Sequence, residues 1–244
     1  MRKSISFDIR KSTKNNKEKW VSLHNEARFR PRYPIEEVVQ FVFRNYRNAR
    51  SDVRILDAGC GAGRHVKFLA DEGFIPYGID FSESGVEYTK KMLSLSDHDK
   101  FTPNILCGSI AELPFKKSYF NAIVCWAVLY YLSEKDIKNA ILEFHRVLKR
   151  KGKLLLFVRN TDDYRYVNSA NKNGFYATIN ESSKSRNAFS ENGMTLFFFE
   201  QHYIENLFKT TWGGKCKIEI ERDVKTIENG QYADSNFLII VTKN

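Results

Sequence analysis

With 244 residues, 42% of them hydrophobic and 14% aromatic, the chain is long enough to bury a substantial core and too aromatic for wholesale disorder. Its apolar runs, such as Ile123–Leu129 and Phe237–Val241, fall far short of the roughly 20 residues that cross a bilayer, and no secretory signal opens the chain, so a cytoplasmic location and no membrane association are expected. Lys and Arg number 39 against 29 Asp and Glu, and residues 1–50 hold thirteen and five of these, which places +8 of the formal +10 in that segment.

A basic leader of this kind either attracts an anionic partner through its field or is a solvated, partly disordered extension, the plainer reading for Arg2–Lys19. Next, Ile35, Val38, Val39, Val42, Phe43 and Tyr46 recur at helical spacing, with Pro34 at a favourable start position. Val53–Asp57 reads as a strand, followed by a glycine-rich turn and a helix over Ala62–Asp71 that Gly73 ends. Phe74–Asp80 is a second strand. Ser82 caps a helix running to about Leu95, and Asn104–Cys107 is a short strand. Asn121–Ala127 is nearly continuously apolar, as a parallel strand buried on both faces should be. Ser133 caps a helix with Ile137, Ile141, Phe144, Val147 and Leu148 as its stripe; Gly152 closes it, and Lys153–Val158 is a fifth strand. Residues 161–199 are polar with scattered aromatics, after which come a helix over Gln201–Lys209 and two alternating segments, Lys215–Lys225 and Asn236–Thr242, that form an antiparallel hairpin.

Strands alternating with helices predict an α/β fold: a Rossmann-like, doubly wound sheet of about seven strands, mostly parallel, with an antiparallel C-terminal hairpin strand and helices on both faces. The predicted division is a basic leader and lid over residues 1–34 and a main domain over 35–244, with an insertion at 161–199 forming part of the substrate site. Cys60, Cys107, Cys125 and Cys216 show no paired spacing, so they read as reduced core thiols and no metal site is expected.

The turn Asp57-Ala58-Gly59-Cys60-Gly61-Ala62-Gly63 sits at a strand-to-helix junction, where glycines let backbone approach a ligand. A dinucleotide fold wants its third glycine one position later, where this chain has Arg64, and Asp57 is poorly placed for a pyrophosphate. Asp80 ends the second strand, where a carboxylate can accept both hydroxyls of a ribose. A ligand with a ribose and no phosphate fits best.

Five collinear segments resemble class I S-adenosylmethionine-dependent methyltransferases of the small bacterial, type 11-like kind: Ile55–Gly63, Gly78–Ser82, Cys107–Phe115, Tyr119–Trp126, and Leu148-Lys149 leading through Gly152 to Leu156. The resemblance implies S-adenosylmethionine as cofactor and S-adenosylhomocysteine as product. It implies Gly59, Gly61 and Gly63, with Asp57 nearby, against the methionine part, Asp80 on the ribose and Phe81 beside the adenine. Ser109 and Ile110 would line the adenine edge and Trp126 the methionine end. Many relatives have Asp where Ser109 stands and Asp where Asn121 stands. Where relatives often have His-His, this chain has Tyr130-Tyr131, and Tyr130 is the expected acceptor-orienting, catalytic residue, since a Tyr is a poor base at neutral pH. Arg32, Tyr33 and Arg165 are the expected contacts to an acceptor bearing carboxylate or phosphate, whereas His24 and His202 read as surface residues.

The leading expectation is therefore methyl transfer to an oxygen or nitrogen of a small molecule, with anionic acceptors among those allowed, by a monomer or homodimer. The alternatives are an RNA or protein methyltransferase gripping its polymer through the leader, and a non-catalytic Rossmann-like binding protein. Against nucleic acid stand the missing D/N/S-P-P-Y/F/W motif, since Cys125-Trp126-Ala127-Val128 occupies its place, and the lack of an appended RNA-binding module or aromatic stacking platform.

Overall fold

The computed structural model describes residues 9–24, 26–48 and 50–244. The first eight residues of the expected leader, with Asn25 and Ala49, lie outside the described residues. The chain begins with α1 (Ile9–Leu23), where the sequence suggested a solvated extension, followed by α2 (Glu36–Tyr46). The central alternation is β1 (Arg54–Ala58), α3 (Arg64–Asp71), β2 (Ile75–Asp80), α4 (Glu83–Ser94), β3 (Ile105–Cys107), β4 (Phe120–Trp126), α5 (Glu134–Val147) and β5 (Leu148–Arg159). Beyond it lie α6 (Tyr164–Val167), β6 (Lys172–Asn173), β7 (Tyr176–Thr178), β8 (Thr195–Phe197), α7 (Gln201–Trp212), β9 (Cys216–Ile227) and β10 (Tyr232–Lys243).

Seven strands form one sheet in the order β3-β2-β1-β4-β5-β10-β9, parallel except that β10 runs antiparallel to both its neighbours. The strand order reverses between β1 and β4, so a crevice opens beyond their carboxyl ends. Alternate residues fill opposite faces. Ile55, Ala122, Val124 and Leu155 pack with Val38 and Phe41 of α2 and Leu69 of α3, while Leu56, Ile123, Cys125, Leu154 and Leu156 pack with α5 and α7. The hydroxyls of Ser82 and Ser133 accept the N–H groups of Gly85 and Asp136, as N-caps should.

Three local expectations change. Gly152 does not close α5: the helix ends at Val147, and the left-handed residue that follows is Lys151, at φ 61° within β5. Gly152 is needed instead for a close approach, because a Cβ there would meet Lys149 O at 2.8 Å. Cys60 and Cys125 are buried thiols, but Cys107 is exposed. The stretch read as irregular builds a small antiparallel sheet, β6-β7-β8, locked into the core by Phe197, Phe198 and Phe199.

Candidate functional site

A cavity of about 210 Å³ occupies the crevice, with the glycine turn, Asp80-Phe81, Gly108–Ile110 and Trp126–Val128 on its wall and Lys17, Trp20 and His24 of the N-terminal segment closing over it. The turn is tied to β2 by Gly59 N and Cys60 N, which donate to Ile79 O at 2.8 and 3.1 Å. Gly59 sits at φ 85°, and a Cβ there would fall 2.3 Å from Val128 Cγ2. Gly63, at φ 79°, is the residue before α3, and its Cβ would fall 2.5 Å from Thr89 Cγ2. Both positions exclude a side chain by conformation and by space, so the backbone itself faces the cavity.

Asp80 is 5% exposed, its Oδ2 accepting from Gly61 N and its Oδ1 from Ser82 N, both at 2.9 Å. Burial pushes its carboxyl above the ordinary value, against the pull of these bonds and of His24. Each oxygen retains a lone pair for a hydroxyl donor. Asp57 lies off the wall, 2% exposed, with Oδ2 3.5 Å from His65 Nδ1 and without a hydrogen-bond partner among the described residues. A buried carboxylate oxygen left unpaired under the glycine turn suits a ligand ammonium.

At the other end, Trp126 stacks on Phe157 at 4.1 Å, and Ala127 holds a left-handed φ of 60° while its N donates to Phe157 O. A non-glycine residue in that region carries strain, and here it turns the chain so that residues 126–128 border the cavity. Phe81 and Ile110 line the wall. Ser109 also lines it, and its hydroxyl accepts from Ala111 N at 3.2 Å.

The structure gathers Gly59, Gly61, Gly63, Asp80, Phe81, Ser109, Ile110 and Trp126 around one cavity. Five other expected residues are elsewhere: Asp57, off the wall as described, and the four expected at the acceptor. Tyr130 is 3% exposed in the core with the Arg159 guanidinium over its ring, and its neighbour Tyr131 reaches the wall. Arg165 is 5% exposed, off this cavity's wall, and engaged by Asp163, Glu191 and Asp234. Arg32 and Tyr33 are exposed and off the wall, where Phe29 and Pro31 stand instead.

His24, read as a surface residue, is 7% exposed and on the wall. Burial lowers its pKa, opposed by Asp80 and reinforced by Arg30. Its Nδ1 and the Trp20 Nε1 lack hydrogen-bond partners among the described residues. Helix α1 is docked by Asn16, whose Nδ2 donates to Tyr131 O at 3.1 Å and Thr195 O at 2.7 Å and whose Oδ1 accepts from Thr195 N at 3.1 Å. Lys19 Nζ donates to Asn192 O. Nothing in the leader's own periodicity signals these contacts, which span more than a hundred residues.

Residues 56–156 match the family described as Methyltransferase domain. The chain is 32% identical over 149 residues to the uncharacterized methyltransferase YcgJ of Bacillus subtilis, a match covering 56% of this chain and 54% of that one. It shares its fold with a SAM-dependent methyltransferase of Methanosarcina mazei at TM-score 0.61 and 21% identity, over 83% of this chain and 96% of that one. A second fold neighbour, at TM-score 0.65 and 11% identity over 97% and 91% of the two chains, is the 1,6-didemethyltoxoflavin-N1-methyltransferase of Burkholderia thailandensis, solved with 1,6-didemethyltoxoflavin and S-adenosylhomocysteine. The chain spans about half the length of the first curated relatives it matches.

Proposed function

We propose that residues 56–156, which match the family described as Methyltransferase domain, form a class I S-adenosylmethionine-dependent methyltransferase domain, and that the protein transfers a methyl group from S-adenosylmethionine to an oxygen or nitrogen of a small, anionic molecule. The observation that carries this reading is the meeting, in one cavity, of a glycine cradle that no Cβ fits and a buried carboxylate, Asp80, suited to a ribose diol. The orphaned Asp57 Oδ2 beneath the cradle adds a counter-charge for the methionine ammonium. Phe81 and Ile110 supply apolar surface for the adenine, and Trp126 borders the methionine end.

When bound, S-adenosylmethionine would supply an electrophilic methyl group for in-line transfer to an acceptor lone pair, the carbon–sulfur electron pair staying with sulfur. The protein's part is positioning and exclusion of solvent, which the lid helix performs by closing over the cleft. Apart from Asp80, the permanently charged side chains on the wall are Lys17 and Arg64, and this favours an anionic acceptor over a cationic one.

Calorimetric titration with S-adenosylhomocysteine tests the reading. Saturable binding is expected, with stabilisation of about 2.7 kcal/mol at a ligand concentration of about 100 times Kd. No heat and no thermal shift at millimolar ligand would overturn it.

A further inference from the structure

Tyr131 stands on the cavity wall, and the commitment of its hydroxyl proton sets what that part of the wall can bind. The hydroxyl donates to Glu191 Oε1 at 2.6 Å. Glu191 is 5% exposed, and its Oε2 accepts from Arg159 Nη1 and Arg165 Nε, each at 3.0 Å. Burial pushes the Glu191 carboxyl up, but the two guanidinium groups and the Tyr131 bond outweigh burial and hold it below the usual carboxylate range. As an anion it can only accept, so Tyr131 is the donor of the pair, and what its hydroxyl can still offer, beyond its hydrogen bond with the neighbouring Tyr130, is an acceptor lone pair. Polarisation by the buried anion strengthens that lone pair as an acceptor.

The surroundings add shape and charge. Trp20 meets Tyr131 edge to face at 5.3 Å and Phe29 at 6.4 Å, which makes this end of the cavity aromatic. Lys17 and Arg64 stand on the same wall. The bond between Tyr131 and Glu191 brings the buried charge cluster to the ligand.

We propose that Tyr131 is an acceptor-binding residue and that the acceptor is a planar molecule carrying an O–H or N–H nucleophile and an anionic group. The proposal rests on the methyltransferase reading. The nucleophile's hydrogen donates to Tyr131 Oη, which leaves its lone pair free to face the methyl group, while the ring packs among Trp20, Phe29 and Tyr131 and the anion pairs with Lys17 or Arg64. A nucleophile already ionised, such as a carboxylate oxygen, finds no donor at Tyr131.

The test titrates the full chain, saturated with S-adenosylhomocysteine, with 4-hydroxybenzoate, 4-aminobenzoate, benzoate and tyramine as probes. The hydroxy and amino acids are expected to bind at least fivefold tighter than benzoate, and tyramine weakest. Tyr131→Phe is expected to bring 4-hydroxybenzoate to the level of benzoate while S-adenosylhomocysteine affinity stays within twofold. A merely structural Tyr131 would not erase that difference. Equal or undetectable binding of benzoate and 4-hydroxybenzoate to the wild-type chain at millimolar concentration, or tightest binding of tyramine, overturns the proposal whether or not the variant folds. Failure of S-adenosylhomocysteine to bind would be seen before any probe is added and would overturn the methyltransferase reading itself.

Discussion

Gly63→Ala separates the two reasons for a glycine in the cofactor turn. Gly63 and Gly73 both follow the left-handed path, at φ 79° and 81°, but a Cβ at Gly73 meets nothing within 4 Å, whereas at Gly63 it would fall 2.5 Å from Thr89 Cγ2 and 2.6 Å from Thr89 Oγ1. Thr89 cannot yield cheaply: it is fully buried, and its hydroxyl donates to Gly61 O and Gly85 O at 3.0 and 2.9 Å. The conformational cost common to both sites is about 1–2 kcal/mol. Overpacking adds about 1–3 kcal/mol at Gly63 alone. For a chain of this length each kcal/mol lowers the melting temperature by about 2–4 °C. Urea unfolding of Gly63→Ala, Gly73→Ala, Thr89→Ala and the Gly63→Ala/Thr89→Ala double variant measures both contributions. The double variant is expected to recover about 0.5–3 kcal/mol relative to additivity, since Thr89→Ala removes the two closest clashing atoms and leaves only Thr89 Cβ, at 2.9 Å. If Gly63→Ala costs no more than Gly73→Ala and the double variant is additive, the close packing of α3 on α4 is not what demands glycine there.

Asp80→Ala is expected to weaken S-adenosylhomocysteine at least tenfold by calorimetry, and unchanged affinity would refute the ribose assignment. Burial and Arg30 hold the His24 pKa below 6.5 against Asp80, and burial with nearby lysines lowers that of His145. These two imidazoles therefore bind fewer protons in the folded chain than in the unfolded chain just below pH 6.5. The stability from these groups is full above pH 6.5 and is lost as pH falls from there through the lowered values. The urea midpoint should drop between pH 7 and 5.5, and His24→Gln should flatten part of that drop; an unaltered pH profile would count against it. Asn16→Ala leaves the buried Thr195 N–H unpaired, at a cost of about 1–3 kcal/mol to docking of the lid helix. Faster proteolysis within residues 9–23, with little change elsewhere, is the expected signature, and equal rates would show that Asn16 does not hold the lid.

What was legible in the sequence was local. The serine caps, the five strands of the central alternation and the left-handed glycines each follow from a few adjacent residues, and the cofactor wall is assembled mainly from those pieces. Gly152 misled because its need is steric. The chain already turns at Lys151, and the glycine relieves contact with Lys149 O.

Tyr130 and Arg165 lie away from the cavity wall because the residues there are sorted by distant partners. Leu129–Tyr131 forms a 3-10 turn, in which successive side chains diverge by about 120°. Of two adjacent tyrosines, one must therefore enter the core when the other meets the cavity, and the sequence pattern does not say which. Asn16 helps to set the phase by holding Tyr131 O from the lid, and Arg159 fills the space over Tyr130. Arg165 likewise reads as a free cation at the crevice mouth until Glu191 and Asp234 arrive from 26 and 69 residues away. The charge that matters at this site is thus carried in two forms. One is the exposed excess of the leader, from which Lys17 reaches the wall. The other is a buried cluster whose effect is delivered through the neutral hydroxyl of Tyr131, so a count of charges along the chain registers the first and misses the second.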